Sequence, residues 1–189
     1  MNGTRGTVMT TQREQLEAVA ALFTYPTADY YDRVEAAVAA AGPSSPDLLG
    51  FAHAVGHIPL AELQELYTNT FDLQPLCPLD LGWHLFGEEY DRGLLLAYMR
   101  RQLRAHGIAE SGEIPDHISY ALLLLPRMKP AKAEEFASVI VAPALRRMLK
   151  CMPPENLFAG LLRASQQLIG AAYPATLEPA TTVAEGVAS

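Results

Sequence analysis

Residues 71–93 read FDLQPLCPLDLGWHLFGEEYDRG, and this stretch decides which fold the chain can adopt. Pro75 and Pro78 end the helix that precedes them, because proline lacks the backbone N–H that an α-helix needs. The letters LDLGWHLF that follow can form about two helical turns. A long amphipathic helix is then predicted from about Tyr90 to Arg104, before Gly107. The stretch therefore predicts short helices joined by tight connections.

The same helical spacing continues through the rest of the 189 residues. Leu16, Val19 and Phe23 recur at intervals of three and four, as on one face of a helix. No window alternates like a half-buried strand, and no Asn-Gly or Asp-Gly turn joins two apolar runs. Pro143 lies inside a predicted helix and should kink or interrupt it. We predict an all-α fold, a single-domain helical bundle of seven to nine helices.

The ends of the chain differ from its middle. Residues 171–189 are rich in Ala, Thr and Pro and have no apolar face, so we expect a disordered tail there. We also expect residues 1–9 to be a disordered N-terminus. The predicted helical domain is therefore 10–170, long enough to bury one good core.

The composition excludes several classes of function. The 21 Asp and Glu residues outnumber the 14 Lys and Arg residues, and the basic residues are scattered. No basic patch could displace phosphate counterions, so we expect no nucleic-acid partner. No run approaches the roughly 18 apolar residues of a transmembrane helix, so we expect no membrane insertion. No signal-peptide pattern opens the sequence, and we therefore expect a cytoplasmic protein.

The candidate catalytic and metal-binding groups are incomplete. His84 and Glu88 have the spacing of two ligands on one helix face, but a third ligand is missing and Gly87 weakens that helix. Cys77 precedes His84 by seven residues and could suggest a thiol and its base, yet it has no basic neighbour in the sequence to lower its thiol pKa. We expect no catalytic residue, no metal and no cofactor. We expect Cys77 and Cys151 to be reduced thiols that pack as small apolar residues.

Four large apolar side chains recur at helical spacing within the opening stretch. They are Leu79, Trp83, Phe86 and Tyr90. If one helix carries them, they form a single stripe. The stripe is either part of the core or one wall of a groove that binds an amphipathic helix or extended peptide of a partner. Acidic side chains would rim such a groove and favour a basic peptide; these are Asp72, Asp80, Glu88, Glu89 and Asp91.

Several short blocks also resemble a known family. The blocks are ELYTNTFDL (65–73), WHLFGEEYDRG (83–93) and EIPDHI (113–118). In this order and spacing they resemble the NarJ family, the molybdenum-cofactor assembly chaperones of respiratory nitrate reductase. That family belongs with TorD and DmsD to the redox-enzyme maturation proteins. The resemblance covers about residues 12–165.

This resemblance implies a cytoplasmic, all-helical chaperone that performs no catalysis. Such a protein binds the N-terminal segment of the apo catalytic subunit of a molybdoenzyme and holds it for insertion of molybdenum cofactor and iron–sulfur clusters. The client would be nitrate reductase or a related enzyme of the dimethyl sulfoxide reductase superfamily. A helical adaptor protein and a small metal-dependent hydrolase are the alternatives.

The predicted client-binding residues combine the apolar stripe with polar neighbours from the same blocks: Phe71, Asp72, Leu79, Trp83, His84, Phe86, Glu88, Glu89, Tyr90 and Arg92. We predict a structural role for Asp116 at a turn, where its carboxylate would cap the helix that begins near His117. Arg92 would tie the long helix to the loop before it through a carboxylate.

Overall fold

The computed structural model describes residues 3–42, 45–73 and 77–177, and within these ranges it contains ten α-helical segments and no strand. Their bounds are α1 Gly3–Ala20, α2 Tyr30–Ala41, α3 Pro46–Val55, α4 Leu60–Phe71, α5 Leu81–Phe86, α6 Tyr90–Ala105, α7 Ile118–Leu124, α8 Pro130–Phe136, α9 Ala142–Cys151 and α10 Leu157–Ala172. Short 3-10 turns cover Ala21–Phe23, Leu125–Arg127 and Pro174–Leu177.

The segments α8 and α9 are parts of one continuous helix. Between them Ala137–Val141 forms a π-helical segment. Pro143 lies two residues after this segment, and in a regular α-helix its ring would clash with the carbonyl four residues earlier. The wider turn of a π segment relieves this conflict, so the predicted interruption is confirmed. With this helix counted once, the described residues form nine helices. The predicted all-α bundle is confirmed.

Aromatic packing joins the helices that lead to the opening stretch. α10 packs against α1, α3 and α9, and most of its side chains are buried. Phe158 at its start meets the rings of Tyr67 and Phe71 of α4, at centroid distances of 5.8 and 4.8 Å. The Tyr67 hydroxyl also donates to the carbonyl of Phe23, at 3.0 Å. The end of α4 is thereby anchored in the core.

The described helices extend past both predicted domain boundaries, residues 10 and 170. α1 begins at Gly3, and the last 3-10 turn ends at Leu177. The disorder expected for residues 1–9 and 171–189 stays a prediction. Residues 1, 2 and 178–189 of those segments lie outside the described residues.

Candidate functional site

The six-residue helix α5 is held at both ends by charged side chains from distant parts of the chain. At its start the Gly82 N–H donates to Oδ2 of Asp116, at 3.1 Å. At its end the Arg147 guanidinium donates to the carbonyl of His84 and, at 2.9 Å, to that of Leu85. A carboxylate at the N-terminus and a cation at the C-terminus both complement the helix dipole. These contacts fix the position of α5, although a helix of six residues is too short to have a long apolar face.

The predicted capping role of Asp116 is wrong. The helix that begins near His117 is capped by His117 itself, whose side chain accepts from the Ser119 N–H. Asp116 instead bonds to α5, a helix that precedes it by more than thirty residues. The reason is a backbone pairing: the Leu81 N–H donates to the Asp116 carbonyl at 2.9 Å, and the Ile118 N–H donates to the Leu79 carbonyl at 2.8 Å. This pairing brings the Asp116 side chain to the start of α5.

Arg92, in the first turn of α6, lies between two carboxylates. Its Nε is 3.2 Å from Oδ2 of Asp116, and its Nη2 is 3.3 Å from Oδ2 of Asp80. Its guanidinium also lies over the Trp83 ring, 5.6 Å from the centroid. The bond to Asp80 links α6 to the residue that precedes α5, not to the loop directly before α6 for which the sequence predicted a tie. Burial, followed by the charge of Asp116, raises the pKa of Asp80 to about 6 although Arg92 lowers it.

A cavity of about 590 Å³ opens beside this cluster, and we call it the acidic cavity. Its apolar walls come from Tyr67, Phe71, Pro78, Leu79, Trp83 and Ile114. Its polar walls come from Asp72, Asp80, Arg92, Gly112, Glu113 and His117. Burial raises the pKa of Asp72 and, together with the charge of Asp72, that of Glu113. Burial lowers the pKa of His117 to about 4, so this ring is neutral near pH 7. The walls therefore combine apolar surface with a net negative charge.

A second recess, of about 460 Å³, has Phe86 of α5 in its lining, and we call it the apolar groove. Its walls are mainly apolar: Phe86, Leu94, Leu95, Tyr98, Phe136, Val139 and Ile140. Asp91, Lys132 and Glu135 complete its lining. Leu94 and Val139 are more than half exposed, at 53% and 60%. The groove runs between α6 and the π segment.

The structure separates the residues that were predicted to bind the client. Phe71, Asp72, Leu79, Trp83 and Arg92 line the acidic cavity. Phe86 lines the apolar groove instead, and Glu88, Glu89 and Tyr90 are exposed outside both recesses. Leu79 and Tyr90 lie outside the helix that carries Trp83 and Phe86, because α5 runs only from Leu81 to Phe86 and Gly87, with a positive φ of 62°, changes the chain direction before α6. The assignment of these residues to client binding stays a prediction.

Seven residues that line the acidic cavity are absent from the predicted client-binding set, and three of them come from one block of the sequence. These three are Glu113, Ile114 and His117, and His117 pairs through the backbone with Asp80, which follows Leu79 in the chain. All three belong to the EIPDHI block, to which the sequence analysis assigned only a structural turn. The resemblance therefore contained a signal for this wall, but nothing in local periodicity linked residues 113–117 to residues 79–83.

His84 lies in neither recess and packs against Cys77. Its Nε2 is 2.7 Å from the Pro78 carbonyl and 4.0 Å from the Cys77 Sγ. A carbonyl can only accept, so Nε2 carries a proton and cannot act as a base toward the thiol. Burial raises the pKa of Cys77 and lowers that of His84, which keeps the thiol protonated and the imidazole neutral. This pair is therefore not arranged for nucleophilic catalysis.

The described ranges also contain neither of two features that the sequence raised, a metal-ligand cluster and a membrane-spanning helix. No group of three or more His, Cys, Asp or Glu side chains there is placed to hold a metal ion. None of the described helices has both the length and the apolar character needed to cross a membrane.

Comparisons with known proteins place this geometry in context. Residues 34–152 match the family described as nitrate reductase delta subunit, and that range includes all the lining residues of both recesses. One similar solved structure is a candidate redox enzyme maturation protein from Archaeoglobus fulgidus, with a TM-score of 0.61 and 23% identity. The similarity covers 83% of this chain and 93% of that one, and at this identity it shows the fold alone. No curated protein matches the chain significantly.

Proposed function

The chain belongs to the nitrate reductase delta subunit family, a family of maturation chaperones for redox enzymes, and on this premise we propose that it binds the apo catalytic subunit of a molybdoenzyme. The bound element is the N-terminal segment of that subunit. The chaperone holds the subunit while molybdenum cofactor and iron–sulfur clusters are inserted, and it acts in the cytoplasm. The client is nitrate reductase or another enzyme of the dimethyl sulfoxide reductase superfamily.

The observation that carries this proposal is the lining of the acidic cavity. A volume of about 590 Å³ accommodates one or two large side chains of a peptide. Phe71, Leu79 and Trp83 offer apolar contact, and Trp83 is 40% exposed in the free protein. Asp72 and Glu113 offer negative charge at the same recess. This combination suits an apolar anchor that is followed or preceded by a basic residue.

Apolar and charged contacts have different roles in this pose. Burying the anchor against Trp83 supplies most of the affinity, because buried aromatic contacts dominate interface energetics. Asp72 and Glu113 mainly accelerate association and select basic peptides. Glu88 and Glu89 lie outside the recess, so they contribute only to the general negative field. These assignments revise the pose that the sequence suggested, in which those two glutamates met the peptide directly.

The test is calorimetry with synthetic peptides that copy the N-terminal segments of molybdoenzyme catalytic subunits from the same genome. We expect Trp83→Ala to weaken binding by at least about tenfold. The fold should survive, because Arg92 keeps its two ion pairs when the ring is removed. Tyr90→Ala is the matched control: this ring is 78% exposed and outside both recesses, so its removal should change affinity less than about twofold.

Charge variants supply the second comparison. Asp72→Asn combined with Glu113→Gln should slow association, whereas Glu88→Gln combined with Glu89→Gln should leave the rate nearly unchanged at moderate salt. Equal affinities of Trp83→Ala and Tyr90→Ala for the peptide would place the binding surface elsewhere. A protein that bound the mature, cofactor-loaded enzyme as tightly as the apo subunit would be an adaptor rather than a maturation chaperone.

A further inference from the structure

The two cysteines of the chain, Cys77 and Cys151, meet at one carbonyl oxygen. Cys77 lies in the loop that leads to α5, and Cys151 is the last residue of α9. The Cys77 thiol donates to the Met148 carbonyl with a sulfur–oxygen distance of 3.6 Å. The Cys151 thiol donates to the same oxygen at 3.2 Å. Two sulfurs that share one acceptor at these distances are within a side-chain rotation of each other.

The two thiols differ in their access to solvent. Cys77 is fully buried, whereas Cys151 is exposed. Burial and the neighbouring Cys151 thiol raise the pKa of Cys77, so its sulfur is mostly protonated and reacts more slowly than an exposed thiol. An oxidant from solution therefore meets Cys151 first, and Cys77 is positioned behind it as the second thiol of a pair.

We propose that Cys77 and Cys151 form a reversible intramolecular disulfide, with a low-molecular-weight disulfide such as glutathione disulfide as the oxidant. The Cys151 thiol loses its proton and attacks one sulfur of the oxidant. A protein–glutathione disulfide forms and one glutathione leaves, taking up a proton. Cys77 then loses its proton and attacks the Cys151 sulfur, the bond to the second glutathione breaks, and that glutathione is also protonated. Two protein thiols are oxidised and one glutathione disulfide is reduced to two glutathiones.

The disulfide would connect the loop before α5 to the end of α9 by a covalent bond. Cys77 immediately precedes Pro78, Leu79 and Asp80, which form one wall of the acidic cavity. Cys151 ends the helix whose Arg147 holds the end of α5. A disulfide between them would tether this cavity wall to α9. The disulfide involves only these two thiols, so its formation does not depend on which client the protein binds.

The experiment incubates the purified full-length protein in buffers of increasing glutathione disulfide to glutathione ratio. The mixture is then denatured, alkylated, digested and analysed by mass spectrometry. We expect a product lighter by two hydrogens, with Cys77 and Cys151 linked in one peptide pair. A closed loop of this length should also raise the Tm by about 5–15 °C, and a reductant should reverse the change.

Single variants separate the two chemical steps. Cys77→Ser and Cys77→Ala should stop at a glutathione adduct on Cys151, and Cys151→Ser should leave Cys77 unmodified in the folded protein. The decisive sample is the unaltered protein, which needs no substitution to fold. If it stops at the adduct on Cys151 while Cys77 is still fully alkylated after denaturation, the proposed pair does not exist.

Discussion

Replacing Asp80 by asparagine should stabilise the protein at neutral pH, although it removes one side of an ion pair. The pKa of Asp80 is raised to about 6 from an ordinary value near 3.8. The folded protein therefore holds a proton on this carboxyl more tightly than the unfolded chain does. Stability is lost as the pH rises from about 4 to about 6, because the carboxyl must then ionise in an unfavourable place. Asparagine never ionises and avoids this loss.

The magnitude follows from the same values. Each pH unit between the folded and unfolded pKa corresponds to about 1.4 kcal/mol, so the full effect is about 3 kcal/mol. Asp80 is partly exposed, at 26% of its side chain, and the neutral amide interacts less strongly with Arg92. We therefore expect a gain of about 1–2 kcal/mol, or about 2–8 °C in Tm for a chain of this size. Asp80 occupies the N-cap position of α5 without a capping hydrogen bond, so the exchange breaks no cap.

The assay is urea denaturation of both proteins at several pH values from about 4 to about 8. The difference in the free energy of unfolding should be near zero at the acid end and reach its full value above about pH 6. Asp116→Asn is the control on the same guanidinium. Asp116 is fully buried and accepts from both Arg92 and Gly82, so this change should destabilise the protein by about 2–4 kcal/mol. A lower stability of Asp80→Asn than of the unaltered protein near pH 7.5 would refute the reasoning.

Two further predictions concern how α5 is held, and both are checked by thermal and urea denaturation. In Gly82→Ala the added Cβ would lie 2.6 Å from Oδ2 of Asp116, so we expect a loss of about 2–4 kcal/mol. Gly93→Ala, where nothing lies within 4 Å of the added Cβ in α6, should instead gain about 0.5–1 kcal/mol; equal effects at the two glycines would contradict the close contact at Gly82. Arg147→Met removes the donors to the carbonyls at the end of α5 and should cost about 1–2 kcal/mol, and an unchanged stability would mean that α5 does not need this contact.

Local patterns predicted the helices well because each helix depends mainly on its own spacing and on the residues that end it. The long helix expected from Tyr90 to Arg104 runs from Tyr90 to Ala105. Pro143 marked the interruption at Ala137–Val141. These features require only the geometry of neighbouring residues, which a single sequence contains.

The site was less predictable because its contacts join distant parts of the chain. Trp83 and Phe86 both lie in α5, as their spacing predicted. The spacing did not predict that the two rings would line different recesses. The bond from Gly82 to Asp116 depends on a backbone pairing of two loops, for which periodicity carries no signal. The approach of Cys77 to Cys151 is a third case: the sequence treated each cysteine as isolated, and only the folding of α9 against α5 brings them together.

The π-helical segment Ala137–Val141 limits which insertions and deletions the protein can tolerate. Each residue of an α-helix rotates the chain by about 100°, so one residue more or less turns everything that follows to a different side. Before the segment, Phe136 contacts the ring of Tyr98 on α6; after it, Arg147 reaches α5. A single-residue deletion here would remove the wider turn that accommodates Pro143, and it would rotate Arg147 and Cys151 away from their partners. Substitutions within Ala137–Val141 should therefore be tolerated more readily than a deletion.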